Sequence, residues 1–178
     1  MRVLLIVLLY GLCSAASPAD NPDLSLTVVH VSDSETDAGI SVEEREQIVK
    51  LLTDDEATDW DAARADDLRY KRVQLAGAGL NGLFVRSVAK ADCGATGNCS
   101  TWLLRKSRTR FHLVLIGVSA DAVGFQSQMT NGFKNVVVSA NLSAESSAVY
   151  VFAYDGHKYV KQTCYERTGT STKDVPFK

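Results

Sequence analysis

The chain holds only three histidines and four cysteines, and its 19 basic residues are offset by 21 acidic ones. Each scarcity removes a class of chemistry. His30, His112 and His157 stand far apart, with no H-E-x-x-H and no other close ligand spacing, so a histidine-based metal centre has no local scaffold. No two cysteines form C-x-x-C, the spacing of thioredoxin-type redox pairs. A Ser nucleophile elbow and a paired-carboxylate motif are both missing. Near-balanced charge gives no basic surplus for nucleic acid or an anionic membrane. Long apolar runs are scarce too: there is one, at the N-terminus.

That run, Val3 to Leu9 in MRVLLIVLLYGLCSAAS, follows a single Arg and precedes small residues. It reads as a secretory signal peptide, residues 1–16, with cleavage after Ala16 or after Ala19. A membrane span would need about 20 apolar residues, so none is expected. Leu12 is too large for lipoprotein processing at Cys13, which places Cys13 in the discarded leader. The leader carries one of the 19 basic residues and none of the 21 acidic ones, so its loss moves the formal net charge from −2 to −3. What remains suits one domain, residues 20–166, followed by a loose polar tail, 167–178. Export places the chain in the periplasm or outside the cell, where disulfides persist. Cys93, Cys99 and Cys164 are left, an odd number.

LSLTVVHV, Leu24 to Val31, has the alternation and β-branching of a strand. Ser41-Val42-Glu43-Glu44 has the S-x-x-E spacing of a capping box and predicts a helix from about Val42 to Leu52, with Val42, Ile48, Val49 and Leu52 on its buried side. Thr53-Asp54-Asp55-Glu56 repeats the signature and predicts a second short helix through ATDWDAARA. The acids gathered there could be offered to calcium, but they lack the EF-hand spacing and central glycine. Carboxylates in a first helical turn complement the macrodipole and face water, the simpler account.

From Arg69 the pattern is β: RYKRVQL, LFVRSVAK, STWLLRK, RFHLVLIGV, FKNVVVSA, SAVYVFAY and HKYVKQTCY, with SADAVGFQ as one more candidate strand. The connections are too short for crossover helices, so the sheet should be antiparallel. The expected fold is α+β: a hairpin meander of about six to eight strands with one or two N-terminal helices. One echo stands out. TWLLRKSRTRF and VYVFAYDGHKY align without a gap, pairing Trp102 with Tyr150 and Phe111 with Tyr159, which predicts two hairpins of similar length. In the second, Asp155-Gly156 is a turn signal.

Candidate sites follow from what is left. Gly77, Gly79 and Gly82 match G-x-G-x-x-G, but LFVRSV after them reads as a strand, whereas a dinucleotide site needs a helix there. They are turn glycines, and no cofactor is implied. Cys93 and Cys99, spaced C-x5-C around Gly94, Gly97 and Asn98, predict a disulfide-stapled turn. That turn could present Thr96 and Asn98 to a partner. Arg105, Lys106, Arg108 and Arg110 cluster at the first hairpin and could meet an anionic surface, or serve as solvated turn residues. Tyr150, Phe152 and Tyr154 share one strand face and read as core or cross-strand residues. Cys164 is a candidate free thiol that could serve as a nucleophile if a His base stands near it, or it is a buried small hydrophobe or the partner of Cys93 or Cys99.

CGATGNC followed by a Trp-bearing strand, then TNGFKNVVV, YDGHKY and CY, resembles a group of uncharacterised small exported bacterial proteins, over roughly Arg69 to Glu166. The resemblance implies export and an antiparallel β domain, and brings no activity and no catalytic residues. Some of that group resemble calcium-binding propeller repeats with D-x-D-G turns; the corresponding AGAGLNG turn here has no carboxylates. Size, export and a stapled sheet are also similar to periplasmic lysozyme inhibitors, a likeness of class alone. The expected function is a non-enzymatic exported binding module acting through the stapled loop on an envelope or extracellular protein or polymer. The alternatives are a thiol-dependent enzyme using Cys164 and a structural envelope protein. No feature sets an oligomeric state.

Overall fold

Ser41 and Glu44 exchange the two bonds of a capping box: the Glu44 N–H donates to Ser41 Oγ and the Ser41 N–H to Glu44 Oε2, each at 3.2 Å. Helix α1 (Val42–Asp54) starts there. The computed structural model describes residues 27–29, 39–54, 60–79, 81–168 and 171–173, with backbone only for the first and last of these segments. Ile48 and Leu52 are buried, as expected, and Val49 is half-buried. Val42 is 69% exposed, against expectation. The reason is angular: six residues at about 100° each carry it some 120° around the helix from Ile48. The second helix is a single 3-10 segment, Ala62–Asp67, capped by the Asp61 carboxylate accepting the Ala63 N–H at 2.9 Å. Asp55, Glu56 and Asp59 lie outside the described residues, as does the leader read over residues 1–16.

Eight strands of six residues or more follow, in two antiparallel sheets rather than one meander. Strands β2 (Leu68–Val73), β3 (Gly82–Ser87), β4 (Cys99–Ser107) and β5 (Arg110–Ala120) form the first sheet in sequential order. The second contains β6 (Ala122–Thr130), β7 (Phe133–Asn141), β8 (Ser146–Tyr154) and β9 (Tyr159–Thr168), again in order. Two short strands extend its edges: β1 (Thr27–Val29) pairs with β6, and β10 (Ser171–Lys173) pairs with β9. The segment expected as a loose tail from residue 167 therefore begins inside the sheet. A single residue, Asp121, separates β5 from β6, and its N–H donates to Ser139 O at 2.8 Å as the chain passes from one sheet to the other.

Strand β3 shows why the sheets must stack. All of its residues except Arg86 are buried, so both faces need cover. One face, with Leu83, Val85, Trp102, Leu104 and Phe111, receives α1 through Ile48 and Leu52 and also packs Trp60. Trp60 meets Trp102 edge-on at 6.2 Å. The other face, with Phe84, Leu103, Val114 and Leu115, packs on Val123, Phe125, Val136 and Val138 of the second sheet. The result is three layers: helix, four-stranded sheet, six-stranded sheet.

The echo in the sequence is matched in the backbone. Lys106 pairs with Phe111, Arg105 with His112, Leu104 with Leu113 and Leu103 with Leu115. At the aligned positions Tyr154 pairs with Tyr159, Ala153 with Val160, Phe152 with Lys161 and Val151 with Thr163. Even the bulge coincides, falling between Leu103 and Leu104 in one hairpin and between Val151 and Phe152 in the other. The turns differ in chemistry. Arg108 takes the left-handed region itself, at φ 55, while in the other hairpin Gly156 does so, at φ 113. Asp155 instead accepts the His157 and Lys158 N–H groups on its carboxylate, at 2.7 and 2.8 Å.

Candidate functional site

Cys93 and Cys99 are bonded to each other, closing the predicted staple, and their Cα atoms lie 3.9 Å apart. On the chain-entropy model so short a ring stabilises by about 2 kcal/mol. Within it Gly97 takes φ 81 and donates to Gly94 O at 2.9 Å, and the Gly94 N–H donates to Asn98 O at 2.7 Å. The base is anchored on both sides. Arg86 Nη2 donates to Cys99 Sγ at 3.4 Å, and Asp92, with its side chain 7% exposed, accepts Ser87 Oγ and pairs with Arg64 of the 3-10 helix.

Asn98 is buried and does not face outward as the sequence suggested. Its Oδ1 accepts the Asn141 N–H at 2.7 Å, and its Nδ2 donates to Asn141 O at 2.7 Å and to Thr96 Oγ1 at 2.9 Å. The Asn141 side chain returns a bond to Thr96 O at 3.2 Å. This clamp joins the loop before β4 to the end of β7, one sheet to the other. Thr96 is exposed, but its hydroxyl and carbonyl serve the clamp.

The basic residues stand elsewhere. Between Cys99 and Arg105 the strand runs about 20 Å, so the basic hairpin lies at the opposite end of the sheet from the staple. There the four cations separate. Lys106 pairs with Glu44 of α1, while Arg105 lies over the Phe133 ring at 5.7 Å with Nη1 3.4 Å from Tyr154 Oη. Arg108 and Arg110 remain exposed at the tip. Arg105 belongs to an aromatic cluster in which Phe133, Tyr154 and Tyr159 stack in turn, at 4.1 and 5.4 Å. Burial, and then the neighbouring Tyr154, push the Tyr159 phenol well above its ordinary range. The predicted site residues thus form two groups, Thr96 with Asn98 and Arg105 with Arg108 and Arg110, and not one.

Cys164 is 7% exposed and disulfide-bonded. Its side chain is enclosed near the end of β9, opposite Tyr150 of β8.

The residues that sequence reasoning passed over lie beside the clamp. The second sheet is the wider one, and a cleft of about 490 Å³ opens between its inner face and β5. Its apolar walls are Val118, Val138, Ala140, Tyr150 and Phe152; Asn98, Ser119 and Lys161 supply the polar atoms. Tyr150 and Phe152, read from the sequence as core or cross-strand residues, do pair across the strands. They reach the core between the sheets but stay half-buried. Lys161 Nζ stands 5.6 Å from the Tyr150 ring centroid. A visible signal was the unmatched aromatic pair: Tyr150 and Phe152 align with Trp102 and Leu104, which α1 covers, whereas no helix of the described residues covers them. Comparison with known proteins finds no matching family model, no matching curated protein and no matching solved structure.

Proposed function

We propose that this chain is an exported, non-enzymatic binding protein whose site is the cleft beside the stapled loop, and that it works in the periplasm or outside the cell. The observation that carries the reading is the cleft itself: about 490 Å³, walled by two half-buried aromatic side chains and three aliphatic ones, with few polar groups at its rim. Small-ligand sites have this size and this mixture. The staple and the Asn98–Asn141 clamp hold one wall in place before a ligand arrives, which lowers the ordering cost of binding. The leader-like N-terminus and the Cys93–Cys99 disulfide support the location.

The test is titration with 1-N-phenylnaphthylamine, an uncharged apolar fluorophore, against the intact chain and against Ser119→Trp. Ser119 is exposed at the cleft mouth, so a Trp there fills the opening without entering the core. Saturable binding to one site, abolished in Ser119→Trp, is the expected result. A linear, unsaturated response, or an unchanged curve in the variant, would remove the cleft as the site.

A further inference from the structure

We propose that the cleft's ligand is a single-chain carboxylic acid, its apolar chain lying along Tyr150, Phe152 and Val138 and its carboxylate meeting Lys161. The proposal rests on the cleft being the binding site and adds the class of molecule it takes.

Charge points to the acid. Lys161 is the only charged side chain among the described residues lining the cleft. Its ammonium has no carboxylate within ion-pair distance among the described residues, and it stands over the Tyr150 ring. A cation held over an aromatic wall is stabilised only modestly and remains able to take an anion. Its four-carbon stem lies along the apolar surface while its charge stays in water, so a ligand with an apolar body and an anionic end matches it along its whole length. Ser119 is exposed at the rim, and its hydroxyl makes no hydrogen bond within the described residues, so it can donate to the second carboxylate oxygen. Asn98 cannot, because its amide is held by Asn141 and Thr96.

Shape points to a small molecule. A stable protein partner needs about 1,000 Å² or more of complementary surface. Among the described residues the exposed large apolar ones are Val42, Met129, Leu142 and Val160, which belong to α1, β6, the turn after β7 and β9. They do not extend the cleft into a single patch.

The experiment displaces 1-N-phenylnaphthylamine from the intact chain with decanoate and, separately, with 1-decanol at neutral pH, then repeats both with Lys161→Met and Lys161→Arg. Lys161 is exposed on β9, so these variants fold. The expected result is that Lys161→Met weakens decanoate about fivefold or more and leaves 1-decanol within about twofold, while Lys161→Arg keeps the preference. Equal weakening of both competitors in Lys161→Met, or of neither, overturns the acid while leaving the cleft as a binding site. So does decanoate that fails to displace a fluorophore 1-decanol displaces. A fluorophore that never binds the intact chain overturns the cleft and the acid together.

Discussion

Gly117 and Trp102 show how much one atom decides in this fold. A Cβ on Gly117 would stand 2.8 Å from Trp102 Nε1, and Trp102 is 1% exposed, so the indole has nowhere to move. Gly117→Ala is expected to cost about 1–3 kcal/mol through overpacking, read as a lower midpoint in urea denaturation. An unchanged midpoint would mean the Trp102 ring relaxes at no cost. The residue scale is also where the sequence misled. Asn98 was legible as a turn residue next to a cysteine, and the left-handed position in that ring is taken by Gly97. Its actual role depends on Asn141, 43 positions later, and no local pattern marks that pair. Lys161 was hidden for the same reason: its value lies in Tyr150 across the hairpin and in β5 above it.

Among the elements, α1 is fastened by charge. Glu44 accepts the Ser41 N–H at the cap, pairs with Arg72 at 3.1 Å and pairs with Lys106 of β4, all with a side chain 17% exposed. The hydrogen bond from Lys106, more than the cap and Arg72, holds its carboxyl below the usual range, against the opposing effect of burial. A lowered folded pKa stabilises above the ordinary glutamate range, near pH 4.3, and that contribution is lost as pH falls through it toward the folded value. Glu44→Gln should therefore cost about 1 kcal/mol at neutral pH and lose less stability than the parent between pH 5 and 3. Parallel acid profiles for the two proteins would show that Glu44 does not fasten the helix. The helix start was legible because a capping box is local. Its landing place on Arg72 and Lys106 was not, since both lie on strands that reach it only after the sheet forms.

At the scale of the whole molecule, two four-stranded meanders share one core, and Asp121 alone lies between them. Neither sheet buries its faces without the other, so a single cooperative transition is expected. Buried phenols are expected to contribute to its alkaline limit. Burial raises Tyr70 under the helix and Tyr159 between the turns above their ordinary range. A raised folded pKa leaves its stabilisation intact below the unfolded value, near pH 10, and loses it as pH rises through the folded one. Phenolate absorbance and loss of fold should thus rise together above about pH 10; Tyr159 ionising in a chain that stays folded would contradict this. The amino-acid sequence by itself determined the strands, the capping box, the aligned hairpins and the Cys93–Cys99 pairing, because each depends on residues within one turn, one hairpin or one short ring. The tertiary structure alone decided that the β region divides at Asp121, that Asn98 clamps one sheet to the other, that Cys164 is buried, and that Tyr150 and Phe152 border a cleft. Those outcomes are set by which faces meet across the core, and facing residues there are separated by many positions whose periodicity is the same on either side.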